Sequence, residues 1–174
     1  MKYKKKETIT EVNEPAVAYM PAYTSASINN NHIKRSITLM GMGAAKSFKE
    51  IENDADFIYC IREGVPKQAL DNIIDIAGFT MSEIALIIRT SDRTLRRYTS
   101  KQKLNAEQSE RVIELAKLYS RGEEVFGNMD AFKEWVNNRV IALGNKKPKE
   151  FMDTSIGIEI LMDELGRIEH GIFA

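Results

Sequence analysis

One cysteine, two histidines, one tryptophan and four prolines among 174 residues leave little material for several kinds of chemistry. A lone Cys60 excludes an intramolecular disulfide and a cysteine-rich zinc site. It sits in the apolar run Phe57-Ile58-Tyr59-Cys60-Ile61 and is read as core rather than as a reactive thiol. His32 and His170 are too few and too far apart in the chain to suggest a metal site, so no metal and no cofactor are expected. No carboxylate pair has a defined catalytic partner, and Gly41-Met42-Gly43 lacks the third glycine and the following Lys-Ser/Thr of a phosphate loop. The chain is not expected to be an enzyme. No apolar run approaches the roughly 20 residues of a membrane span. The charged start, Lys2 to Lys6, is not followed by the apolar stretch of a secretory signal. A cytoplasmic protein without membrane contact is the expectation.

Net charge is also lacking: 25 Lys/Arg balance 25 Asp/Glu. The neutrality hides four blocks. Residues 1 to 50 carry net +4, residues 51 to 79 net −4, residues 80 to 104 net +4 and residues 105 to 174 net −4. A basic block attracts phosphate, whereas an acidic half fused to it points to a different partner. If that acidic half lay against Arg93 to Arg97 in the free protein, it would weaken DNA affinity until a partner engaged it.

Residues 1–35 lack a sustained period and include Pro15, Pro21 and a polar run from Ser25 to Asn31, so a flexible or extended N-terminal arm is expected. Beyond it the apolar spacing is helical and no convincing strand alternation occurs, which predicts an all-α protein. A helix capped by Asp54 carries Phe57, Ile58 and Ile61 to a stop at Gly64. The next starts at Pro66, buries Ala69, Leu70, Ile73, Ile74 and Ala77, and stops at Gly78. Thr80-Met81-Ser82-Glu83 is a capping-box pattern. It opens a short helix with Ile84, Ala85, Ile87 and Ile88, and after Arg89-Thr90-Ser91 a second runs from Asp92 to Tyr98. Asn105 with Gln108 caps a long helix ended by Gly122. A further helix spans about Asp130 to Ala142, with Phe132, Trp135, Val136 and Val140 on one face and Trp135 read as core. A last helix, capped by Asp153 or Thr154, turns Ile156, Ile160, Leu161, Leu165 and Ile168 inward. This divides the chain into an arm (1–35), a helix-turn-helix domain (36–104) and a C-terminal domain (105–174).

Two short helices with Ile84, Ala85, Ile88, Leu95 and Tyr98 turned inward leave Ser91, Arg93, Thr94, Arg96 and Arg97 outside, with Lys101 beside them. Arginine forks suit guanine edges or phosphate, and Ser91 and Thr94 suit phosphate oxygens near a helix start. The pattern alone also allows an acidic protein surface as the partner, or a merely solvated face.

The segment FTMSEIALIIRTSDRTLRRYTSKQKLNAEQSERVIELAKL, with an L-x-x-E-x-S-x-R run at Leu104 to Arg111, precedes Leu143-Gly144-Asn145 and Pro148, a helix start at Asp153-Thr154, and the ending Gly166-Arg167-Ile168-Glu169-His170-Gly171-Ile172-Phe173. From about residue 50 onward the chain resembles the Xre/MbcA/ParS antitoxins. It departs from the usual pattern at Asn145, where a second Gly is common, and at His170, where many relatives have Tyr. The resemblance implies a type II antitoxin without catalytic activity. Its partner would be a RES-domain toxin that degrades NAD⁺ or uses it to ADP-ribosylate a target. The C-terminal region, here Gly166, Arg167, Ile168, Glu169, His170, Gly171, Ile172 and Phe173, would occlude the toxin's active site. The helix-turn-helix would bind operator DNA, as a homodimer within a larger complex, and repress the operon. The residues alone equally allow Ile168, Ile172 and Phe173 to fold onto the chain's own core. They also leave open a stand-alone dimeric helix-turn-helix regulator without a toxin partner.

Overall fold

The computed structural model describes residues 29–45, Phe48 and residues 50–171, and among them helices and turns account for the regular structure apart from two isolated bridges, Pro66 with Lys103 and Val140 with Lys146. The all-α expectation holds. The helices are α1 (Asn29–Leu39), α2 (Phe57–Glu63), α3 (Lys67–Ala77), α4 (Met81–Ile87), α5 (Asp92–Arg97), α6 (Ala106–Phe126), α7 (Met129–Asn137) and α8 (Ser155–Glu169). Short 3-10 turns at Asp54–Asp56, Ile141–Leu143 and Pro148–Phe151 join them. No helix among the described residues is long and apolar enough to cross a membrane, and no group of three His, Cys, Asp or Glu there could hold a metal ion.

The organising element is α6. Its 21 residues bury Val112, Ile113, Leu115, Ala116, Leu118 and Tyr119 together with the polar Gln108, Ser109, Arg111 and Ser120. It packs against α1, α2, α3, α7 and α8. A helix buried on nearly every side must replace water with other helices all round. One connected core therefore runs from Ile33 of α1 through Phe57, Leu70, Ile84 and Leu95 to Phe132, Leu161 and Leu165. The expected division at residues 104 and 105 falls at the start of this shared helix.

Local signals in the sequence operate as expected at several helix starts. Thr80 Oγ1 accepts from the Glu83 N–H at 3.2 Å while Glu83 Oε2 accepts from the Thr80 N–H at 2.9 Å. Asn105 and Gln108 exchange the same pair of bonds at 2.8 and 3.2 Å. Thr154 Oγ1 caps α8 by accepting from the Gly157 N–H. Asn53, rather than Asp54, caps the 3-10 turn that leads into α2.

Four expectations are corrected. The arm does not extend to residue 35: α1 begins at Asn29, and Ile33, Ile37 and Met40 bury against the body. That stripe is only three apolar residues long in a polar run, too sparse to stand out. Residues 1–28, including Lys2 to Lys6, lie outside the described residues. Gly122 does not end α6, which continues to Phe126 and is capped by Gly127 at φ 78°. A Cβ at Gly122 would overlap the Phe132 ring, so the glycine permits close approach of α7 instead of a stop. Helix α7 ends at Asn137, because Val140 turns its N–H to Lys146 O at 3.0 Å around Gly144 and Asn145, both at positive φ. Finally, Ile156 and Ile160 of α8 face outward while Ile158 faces the core with Leu161 and Leu165.

The C-terminal elements are tied to α4 by a charged contact. Lys149 Nζ donates to Glu83 Oε1 at 3.0 Å. The Thr80 backbone N–H, then Lys149, hold the Glu83 carboxyl down at about 2, from an ordinary 4.5. A depressed carboxylate stabilises the fold fully above 4.5 and loses that contribution as pH falls toward 2. Urea unfolding of the unaltered chain and of Glu83→Gln should therefore differ at pH 6 and converge as the pH is lowered through this window. A gap that persists at acid pH would contradict the assignment. Gly122→Ala should destabilise by about 1–3 kcal/mol through overpacking against Phe132, in spite of alanine's better helix propensity, as read from the same unfolding curves.

Candidate functional site

The two short helices α4 and α5 meet through Ile84, Ile88 and Leu95, all fully buried. The turn between them places Arg89 at φ 53°, a left-handed conformation that is unfavourable for a residue with a Cβ. Ser91 then caps α5: its Oγ accepts from the Thr94 N–H at 3.0 Å and lies 2.7 Å from Thr94 Oγ1. Both hydroxyls thus hold the start of the helix as well as facing outward.

The six residues expected to meet DNA lie at the N-cap of α5, along α5 and in the segment after it. Ser91, Arg93, Arg96, Arg97 and Lys101 are exposed and Thr94 is half-buried. Arg96 is held along its own helix by Asp92, Nε to Oδ1 at 2.7 Å and Nη2 to Oδ2 at 3.3 Å. Arg93 and Arg97 have no acidic partner among the described residues. No acid of residues 105–174 lies on Arg93, Arg96 or Arg97; the one such contact in this region is Arg89 Nη1 to Glu107 Oε1 at 2.9 Å. Shielding of Arg93 to Arg97 by the acidic half thus has no direct ion pair behind it among the described residues.

The L-x-x-E-x-S-x-R run has a structural meaning that its pattern did not reveal. Leu104 donates its N–H to Val65 O at 2.9 Å, and Ser109 Oγ accepts from the Val65 N–H at 2.9 Å. Glu107 takes Arg89, and the buried Arg111 pairs with Glu114 at 2.8 Å. The first three fasten the start of α6 to the helix-turn-helix unit.

The C-terminal candidates divide by face. Gly166 and Ile168 are half-buried, whereas Arg167, Glu169, His170 and Gly171 are exposed; Ile172 and Phe173 lie outside the described residues. Arg167 Nη1 donates to Glu164 Oε2 at 2.7 Å. Ile168 lines an apolar cleft of about 310 Å³ with Phe126, Trp135, Val140, Ile141, Ala142 and Glu164. Trp135 stacks on Phe132 at 5.7 Å; half-buried, it packs against the core on that side and walls this cleft on the other. Ile141 beside it is 85% exposed. Along α8, Ile156 at 71% and Ile160 at 39% exposure lie on the same outer stripe as Arg167, because residues four and seven apart recur on one helix face. Sequence reading grouped Ile156 and Ile160 with the buried Leu161 and Leu165 and missed this surface; no periodicity could distinguish the two faces of a helix with six Ile and Leu.

Glu169 does not project freely. Arg121 of α6 forks onto both of its oxygens, with Nη1 to Oε1 at 3.1 Å and a closer contact from Nη2 to Oε2. That hydrogen-bonded guanidinium holds the Glu169 carboxyl below the usual carboxylate range.

The chain is similar to known antitoxins. Residues 56–117 match the model of the antitoxin Xre-like helix-turn-helix domain, and residues 121–171 that of the antitoxin Xre/MbcA/ParS C-terminal toxin-binding domain. An antitoxin Xre of Photorhabdus laumondii is 30% identical over 114 residues, covering 64% of this chain and 77% of the relative. A Prs ADP-ribosylating antitoxin of a Sphingobium species is 32% identical over 130 residues, 68% of this chain and 81% of the relative. The M. tuberculosis MbcT–MbcA toxin–antitoxin complex contains a chain that superposes with a TM-score of 0.45 at 21% identity, over 60% of this chain and 94% of that one. The chain belongs to the Xre antitoxin family, with an Xre-like helix-turn-helix domain joined through α6 to an Xre/MbcA/ParS toxin-binding domain.

Proposed function

We propose that this chain neutralises a RES-domain toxin acting on NAD, and that it binds operator DNA through α5 to repress its own operon. The observation that carries the toxin half is the outward stripe of Ile156, Ile160 and Arg167 beside the Trp135 and Ile141 cleft. Isolated exposed apolar residues are ordinary, but several together with an arginine and a tryptophan suit the anchors of a protein interface. The stripe leads to Gly166–Phe173, which on this reading enters the toxin's active-site cleft. The toxin carries the chemistry; this chain supplies shape and charge and works in the cytoplasm, where its DNA is.

For the DNA half, support comes from Arg93 and Arg97, which are exposed and carry no acidic partner among the described residues. Arg96 must exchange Asp92 for a phosphate or base edge, an inexpensive step at a surface pair. A homodimer would set two copies of α5 on half-sites about one helical turn of DNA, ~34 Å, apart.

Two measurements follow. Ile160→Glu changes a partly exposed position, so the fold should persist while affinity for the toxin, measured by calorimetry, falls by about tenfold or more through loss of one apolar anchor. Retained affinity and retained neutralisation in cells would remove the toxin-facing assignment of this stripe. Arg93→Ala with Arg97→Ala should weaken operator binding and lower the slope of log affinity against log salt by about 2 if both meet phosphate. An unchanged slope with unchanged affinity would exclude α5 as the DNA-facing helix.

A further inference from the structure

The last turn of α8 poses a physical problem. Glu169 is an acid at a helix C-terminus, where the negative end of the helix dipole opposes it. Arg167 and His170 beside it are exposed. Left to itself, such a turn frays. The structure supplies a remedy from a helix 48 residues earlier: Arg121, whose side chain is only 17% exposed, forks onto both Glu169 oxygens.

Arg121 is itself held. Its Nη1 also donates to Glu124 Oε2 at 2.7 Å, and the same Glu124 oxygen lies 2.6 Å from His32 Nε2 of α1. Helix α1 is fixed to α6 independently, by Arg35 forked onto Glu123 at 2.5 and 2.6 Å and by Ser120 Oγ donating to His32 O at 3.2 Å. The chain of contacts thus runs from α1 through α6 to the final turn of α8. Helix α1 lies outside both matched segments, 56–117 and 121–171.

The consequence is rotational. Residues two apart on an α-helix are separated by about 200° around the axis. Pinning Glu169 to α6 therefore turns Arg167 to the opposite, outer side, in line with Ile160 and Ile156. We propose that Arg121 is a positioning residue for the toxin-facing end of α8, and that α1 belongs to the same device through His32 and Glu124. This rests on the reading of that end as toxin-facing. Arg121 touches no partner in this scheme; it fixes the direction in which Arg167 and the following residues leave the domain. The fork requires arginine, since a lysine ammonium offers a point charge and cannot engage both oxygens in one plane.

The test uses the full chain with its cognate toxin. Arg121→Gln should weaken toxin binding by about tenfold, within the range for residues that act on a site without contacting it. Amide hydrogen exchange should quicken at residues 167–171, with operator affinity unchanged. Arg121→Lys should fall between, and His32→Gln should lose about threefold. A purely structural role predicts instead a lower melting temperature for Arg121→Gln with toxin affinity unaltered when measured cold, and that result would overturn the proposal. Should Arg121→Gln fail to fold, Arg121→Lys decides: unaltered affinity and unaltered exchange at residues 167–171 would overturn it equally. Full affinity in His32→Gln would remove α1 from the device. Ile160→Glu separates the two levels. If it binds fully as well, the toxin-facing reading itself is lost; if it alone loses affinity, only the positioning role is lost.

Discussion

The near-complete enclosure of α6 is the constraint on which the rest of the structure depends. A helix whose sides face α1, α2, α3, α7 and α8 cannot present one uniform apolar surface, because each neighbour approaches at its own distance. Gly122 lets the Phe132 ring meet the backbone, while Ser109 and Ser120 turn hydroxyls to carbonyls of neighbouring segments. Tyr119 shows what this enclosure tolerates. Its ring joins Phe79 and Phe132 edge to face at 6.0 and 5.1 Å, yet its buried hydroxyl has no partner among the described residues. Leaving such a group unpaired costs about 1–3 kcal/mol. The aromatic junction between α4's approach and α7 offsets part of that, and burial drives the phenol's pKa upward.

Because one helix serves both family domains, the two cannot be independent bodies joined by a tether. Leu104, Glu107 and Ser109 fasten its first turns to the helix-turn-helix unit; Arg121 and Phe126 meet the C-terminal domain at its last turns. Lys149 on Glu83 closes the arrangement from the other side. A displacement at α8 therefore has a route of contacting side chains to α4. Interiors packed at this density transmit shifts rather than absorb them.

How far the sequence discloses this follows from where each determinant lies. Helix starts are local: Thr80 with Glu83 and Asn105 with Gln108 are three residues apart and could be read directly. The helix-turn-helix core, Ile84, Ile88 and Leu95, was legible for the same reason. Gly122 was misread because a stop and a close approach call for the same residue, and only the position of Phe132, ten residues on, decides between them. Ile156 and Ile160 were misplaced because α8 has apolar residues on both faces, and the choice of the buried face belongs to α6. Arg121 drew no attention since its partner Glu169 is 48 residues away. The family resemblance drew attention to the last turn of α8, but not to the cleft walled by Trp135, nor to helix α1, which His32, Glu124 and Arg121 link to that turn.

The distribution of ion pairs explains how a chain of zero formal charge can still offer phosphate a basic surface. Six acids of the C-terminal half are held by arginines other than Arg93 and Arg97: Glu107 by Arg89, Glu114 by Arg111, Glu123 by Arg35, Glu124 and Glu169 by Arg121, Glu164 by Arg167. None of them falls within contact of Arg93 or Arg97. At physiological salt the Debye length is about 8 Å, so exposed charges farther apart than that are largely screened from one another. Net charge in this protein is thus a poor guide to its partners. On α5 itself Asp92 is paired with Arg96, and Arg93 and Arg97 have no acidic partner among the described residues.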